Sequence, residues 1–140
     1  MKAAQAVSLA VAAATLLAGT VAIAQPDKDA KAPAQPVMQQ LDAFRRDDYD
    51  SAYTFASDEI KTLFDRQAFE RMVKTGYPEI ARSTYALITE TRVAPDGHVY
   101  LTVKIRGANG NSVEAIYDMV RENSGWRING VVAKPDPGLV

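Results

Sequence analysis

The chain has 140 residues with 16 basic and 17 acidic side chains, a formal net charge of −1, no cysteine and one histidine. That balance gives no electrostatic reason to expect nucleic acid or an anionic membrane surface as partner. The absence of cysteine rules out disulfides, thiol chemistry and a lipoprotein anchor, and one imidazole leaves a transition metal almost no ligands.

Met1-Lys2 gives a positive start, Val7 to Ala18 is uncharged, and Ala22-Ile23-Ala24 has the small-x-small form cut by signal peptidase. Residues 1–24 are therefore expected to be a secretory signal peptide cleaved after Ala24. The run is rich in Ala and broken by Ser8, Thr15, Gly19 and Thr20, whereas a membrane span needs mostly Leu, Ile, Phe and Val. No basic stop-transfer cluster follows, so no span is expected after cleavage. The mature protein is expected to be exported, and periplasmic in a cell with an outer membrane. Residues 25–36, QPDKDAKAPAQP, read as a linker. The domain is expected over 37–140.

Val37, Leu41 and Phe44 fall at i, i+4, i+7 and predict a first helix from about Pro36 to Arg46, with Arg45-Arg46-Asp47-Asp48 as its solvated end. Asp50 or Ser51 is expected to cap a short second helix burying Tyr53, Phe55 and Ala56. Ser57 is expected to cap a third carrying Ile60, Leu63 and Phe64, and Asp65 a fourth carrying Phe69, Met72 and Val73. Gly76 sits where a helix C′ residue belongs, with Pro78 to stop continuation.

The apolar period then changes to two. Tyr85, Leu87, Thr89, Thr91 and Val93 alternate with Ala86, Ile88, Glu90 and Arg92, and Val99, Leu101, Val103 and Ile105 alternate with polar neighbours. Turns at Pro95-Asp96-Gly97, Ala108-Asn109-Gly110 and Asn123-Ser124-Gly125 separate these strands from others at about Ser112–Glu122 and Trp126–Ala133. A two-residue turn at Asn109-Gly110 would set Glu114, Ile116 and Asp118 beside Ile105, Val103 and Leu101. A three-residue loop with Gly110 at positive φ sets Val113, Ala115 and Tyr117 there instead, buries more apolar surface and is favoured. Phe44, Phe64, Phe69 and Trp126 are expected among the most buried residues. The fold class is α+β, with N-terminal helices packed on a curved four-strand antiparallel meander.

The helical positions Gln40, Ala43-Phe44, Asp47-Asp48, Tyr53, Phe55-Ala56-Ser57, Ile60, Phe64, Phe69, Met72-Val73 and Tyr77-Pro78 carry a resemblance, as do Tyr117-Asp118-Met119 and Trp126-Arg127-Ile128-Asn129-Gly130-Val131. The chain resembles a bacterial family of small exported NTF2-like domains of unknown function over about residues 37–132. The resemblance implies the cone-shaped NTF2-like fold and no particular activity.

Some members of the wider superfamily use an Asp or His inside the cone, and the analogous residue here is Asp118, within the apolar run Ala115 to Val120. Facing the cone, it could shuttle a proton; facing outward, it is an ordinary surface carboxylate, and the favoured register sends it outward. His98 follows a turn and is expected to be solvent-exposed without an acid partner. Tyr85, Tyr100, Tyr117 and Trp126 suit either a ligand pocket or core packing. Glu90 is expected near Lys104 and Arg92, on the face opposite Leu87 and Val103. The pocket candidates are thus Tyr85, Tyr117, Asp118 and Trp126, and the cleavage residues Ala22 and Ala24. No catalytic residue, metal ligand or cofactor is assigned, because Gly107, Gly110 and Gly125 sit at hairpin turns and no Ser/His/Asp arrangement is present. The leading expectation is non-catalytic binding of a small molecule or envelope protein. The alternatives are a cone-pocket isomerase or lyase using Asp118, and a structural homodimerisation module.

Overall fold

Five helices precede a four-stranded antiparallel sheet in the computed structural model, which describes residues 32–136. The expected signal peptide, its expected cleavage residues Ala22 and Ala24 and most of the expected linker lie outside the described residues. Helix α1 spans Ala34–Arg45 and buries Val37, Leu41 and Phe44 along one stripe. It starts ahead of Pro36, which is tolerated because the first-turn N–H groups have no partner inside a helix. Its end is not merely solvated. Asp47 turns the chain at φ 56°, and Asp48 caps α2 (Tyr49–Thr54) by accepting from Ser51 N at 3.0 Å. The cap therefore falls before Asp50 and Ser51. This shift buries Tyr49 and Ala52 and leaves Tyr53 and Phe55 half-buried.

Ser57 caps α3 (Asp58–Leu63) and Asp65 caps α4 (Arg66–Gly76), both as expected. Helix α3 buries none of its residues, and Leu63 is exposed. Helix α4 buries Phe69 and Val73. Phe69 packs its ring against Phe44 and Tyr53, at centroid distances of 6.0 and 5.3 Å. Gly76 is the last helical residue rather than a left-handed C′ position. Pro78 does not end helical structure but opens a further turn, α5 (Pro78–Ala81), because proline is favoured at the first helical position.

Strands β1 (Ser83–Val93), β2 (Val99–Gly107), β3 (Ser112–Glu122) and β4 (Gly125–Pro135) lie in that order in the sheet. Gly110 adopts φ 84° and the loop from Ala108 holds three residues. Leu101, Val103 and Ile105 accordingly face Tyr117, Ala115 and Val113 across β2 and β3. These side chains form the inner face, and the helices pack over it in a cone-like α+β arrangement.

Two expectations for β1 fail. Ala86 and Ile88 pair with Ile105 and Val103 on the inner side, while Leu87 lies opposite Lys104 and is exposed. A bulge between Ile88 and Glu90 then returns Thr91 and Val93 to the inner register, opposite Leu101 and Val99. Lys104 binds Asp136 at 2.8 Å and approaches Glu114 at 3.9 Å, in place of the expected Glu90. Trp126 and Phe64 are half-buried rather than central, whereas Phe44 and Phe69 lie in the core. A second bulge, at Asn129, interrupts the β3–β4 pairing.

Candidate functional site

The helices and the inner sheet face leave between them a cavity of about 290 Å³. Helix α1 presents Gln40 and Phe44 to it, α3 presents Ile60, and α4 presents Phe69, Met72 and Val73. Tyr117 from β3, with Ile128 and Val131 from β4, lines the sheet side. Small residues in the wall, Ala56 and Gly130, leave room there. None of the lining residues carries a charge.

Three lining side chains carry hydrogen-bonding groups in known positions. Gln40 Nε2 donates to the Ala52 carbonyl at 3.1 Å, and the Tyr77 hydroxyl donates to the Val131 carbonyl at 3.2 Å. Tyr117 is 1 % exposed, and its hydroxyl has no hydrogen-bond partner among the described residues. An unsatisfied buried hydroxyl costs about 1–3 kcal/mol, so its retention needs a reason. Burial pushes the Tyr117 phenol pKa well up, and nearby Tyr77 pushes it further in the same direction. The phenol therefore stays protonated and able to donate.

Tyr117 is the one pocket candidate of the four that lines this cavity. Tyr85 is exposed on β1. Trp126 is half-buried, with the Arg121 guanidinium 5.6 Å from its ring centroid and its Nε1 buried without a partner among the described residues. Asp118 points to the outer face, since its strand neighbours Tyr117 and Met119 are both buried inward. There its Oδ1 lies 2.6 Å from His98 Nδ1, and its Oδ2 accepts from Asn129 Nδ2 at 3.3 Å. Ser57 Oγ donates to Asn129 Oδ1 at 2.8 Å, which joins the cap of α3 to this pair.

His98 is thus neither fully exposed nor without an acid partner. Its ring is half-buried and stacks on Tyr100, with centroids 6.2 Å apart. The hydrogen bond to Asp118 holds the imidazole pKa above its usual value, and the charges of Asp118, Asp96 and Glu59 act in the same sense. This pairing could have been read from the favoured register. His98 adjoins Val99, which faces Met119, so His98 and Asp118 are diagonal neighbours on one face. Tyr77 and Gln40 were visible in the sequence only among the positions that carry the family resemblance, with no site role attached.

Among the described residues, no group of three or more His, Asp or Glu side chains could hold a metal ion, and no helix is long and apolar enough to cross a membrane. Residues 26–139 match the family described as "Domain of unknown function (DUF4864)", and the chain belongs to that family. No curated protein and no solved structure matches it.

Proposed function

We propose that this DUF4864 domain is an exported, non-catalytic binding domain with an NTF2-like cone, which takes a small apolar molecule into the cavity between its helices and its sheet. The observation that carries this reading is the cavity itself. Its volume of about 290 Å³ lies near the lower end of ligand sites, and its mostly apolar lining suits one. A cone used only as a protein-contact scaffold would have this space filled. The acid/base alternative required Asp118 to face the cavity, and Asp118 sits on the other side of the sheet. Export rests on the order of charge, apolar run and small residues in 1–24. N-terminal sequencing of envelope protein should find Gln25 first, and retention of Met1 would overturn that part.

The binding reading is tested with N-phenyl-1-naphthylamine, an uncharged apolar fluorophore. Its emission should rise saturably at one site per chain. Met72→Trp, which adds bulk to the cavity wall, should weaken binding about tenfold or more while circular dichroism stays unchanged. Equal binding to the wild type and to a folded Met72→Trp would place the dye on the outside and end the reading.

A further inference from the structure

We infer that the His98–Asp118 pair on the outer sheet face regulates the cavity on the inner face. A proton on the imidazole holds α3 in place, and the cavity then binds its apolar molecule more tightly in mild acid than in mild alkali. This rests on the binding function proposed above and names how that site is controlled.

A continuous set of side-chain contacts joins the two places. His98 Nδ1 lies 2.6 Å from Asp118 Oδ1, and Asp118 Oδ2 accepts from Asn129 Nδ2 at 3.3 Å. Asn129 Oδ1 accepts from Ser57 Oγ at 2.8 Å. Ser57 Oγ in turn accepts from the Ile60 N–H at 3.2 Å, and Ile60 borders the cavity. The bulge in β4 makes this route. Asp118 pairs with Gly130 and Met119 with Ile128, so Asn129 is the extra residue, left out of the pairing and turned to Asp118. Its chain neighbours, Ile128 and Gly130, both line the cavity.

Charge decides the direction of the effect. The titratable and charged groups around the imidazole are Asp118 from β3, Asp96 from the preceding turn, Glu59 from α3 and Tyr100 from β2. The Arg92 guanidinium of β1 lies 5.0 Å from the Tyr100 ring centroid. All three carboxylates favour the protonated imidazole. Coupling is reciprocal: Glu59, in its place on α3, favours the proton, so the proton favours α3 in that place. An imidazole that loses its charge gives Asp118 a hydrogen bond that is no longer assisted by a cation. Asp118, Asp96 and Glu59 then repel one another without that offset. Helix α3 is the element able to respond, because it buries none of its residues and polar contacts place its start.

The test measures the dissociation constant of N-phenyl-1-naphthylamine, uncharged throughout, at about pH 5.5 and about pH 9. These values bracket the imidazole and leave carboxylates, lysines and tyrosines in their ordinary states. The wild-type constant should be about threefold larger at the higher pH. That is below the usual range of such couplings, because the pair is half-buried and partly screened. His98→Gln should bind equally at both. Reciprocally, saturating dye should raise the NMR titration midpoint of His98, the sole histidine, by about 0.5 pH unit in the unaltered protein. Asn129→Ala leaves the His98–Asp118 contact in place and should shrink that rise.

Equal dye affinity at both pH values, or a His98 midpoint unmoved by dye, would overturn the regulation and leave the cavity reading standing. The midpoint needs no variant, so it decides even where a variant fails to fold. A pH dependence kept in His98→Gln would take the control away from His98. A full rise kept in Asn129→Ala would overturn the route through Ser57. No saturable binding at either pH would end the binding function and this inference with it.

Discussion

The 2.6 Å contact between His98 and Asp118 links a proton to the folded state. Because the folded-state pKa of His98 is raised, the native protein holds that proton more tightly than the unfolded chain does. The resulting stability is fully present below the unfolded pKa, about 6.5, and is lost as pH rises through the higher folded value. His98 is the sole histidine, so its NMR titration is unambiguous and should lie above the ordinary range. Asp118→Asn should return it toward that range and remove the associated fall in denaturation midpoint as pH rises above about 6.5. An unmoved His98 titration in Asp118→Asn would show that the contact does not operate in solution. Single residues such as these were only partly legible in the sequence. The outward direction of Asp118 followed from register, but its partner precedes the neighbouring strand and needed a diagonal neighbour to be counted.

At the scale of elements, local chemistry was legible where one residue type decides the structure. Ser57 and Asp65 read as caps because a short oxygen-bearing side chain before an apolar run satisfies first-turn N–H groups. The β2–β3 register read correctly because one alternative would have stranded Glu114 and Asp118 among apolar neighbours. Strand β1 misled because the bulge between Ile88 and Glu90 breaks the two-residue period, which no count of alternation reveals. Helix α5 was missed because a single turn is too short to display a stripe. Ser57 offers the sharpest test here. Its hydroxyl accepts from Ile60 N at 3.2 Å and donates to Asn129 at 2.8 Å, so it joins α3 to β4. Ser57→Ala should cost about 1–2 kcal/mol in denaturant unfolding. Ser57→Asp, which can cap but cannot donate, should recover part of that loss. A neutral Ser57→Ala would remove the cap from any account of stability.

For the whole domain, the pattern of apolar residues foretold which layers meet but not how closely they meet. Phe69, Met72 and Val73 sit on the inward side of α4 whether the space before them is filled or open. The cavity depends on the separation of α4 from the sheet, and small residues such as Ala56 and Gly130 register that only in three dimensions. Phe69 serves both the core and the cavity wall through its contacts with Phe44 and Tyr53. Its change to Ala should cost about 3–5 kcal/mol, a large share of the about 5–15 kcal/mol available to a domain of this size. A melting temperature close to wild type would mean that the helical layer does not depend on this ring.

The side chains of α3 stay out of the core, although Ile60 borders the cavity. The Ser57 cap, the Asp58 N–H donated to Glu122 at 2.8 Å and the Tyr53 hydroxyl on the Phe64 carbonyl at 2.7 Å anchor its ends. A segment held by a few hydrogen bonds opens at far lower free energy than one held by burial, and so opens far more often. Under the binding function proposed above, the residence time of a bound molecule would follow how often one short helix swings free, rather than global unfolding. Amide hydrogen exchange should be faster across 60–63 than across 69–73 of α4. Tyr53→Phe, which releases the far end of α3, should shorten the residence time of N-phenyl-1-naphthylamine in stopped-flow dilution with little change in melting temperature. Equal exchange protection in the two helices would mean that the cavity opens somewhere else.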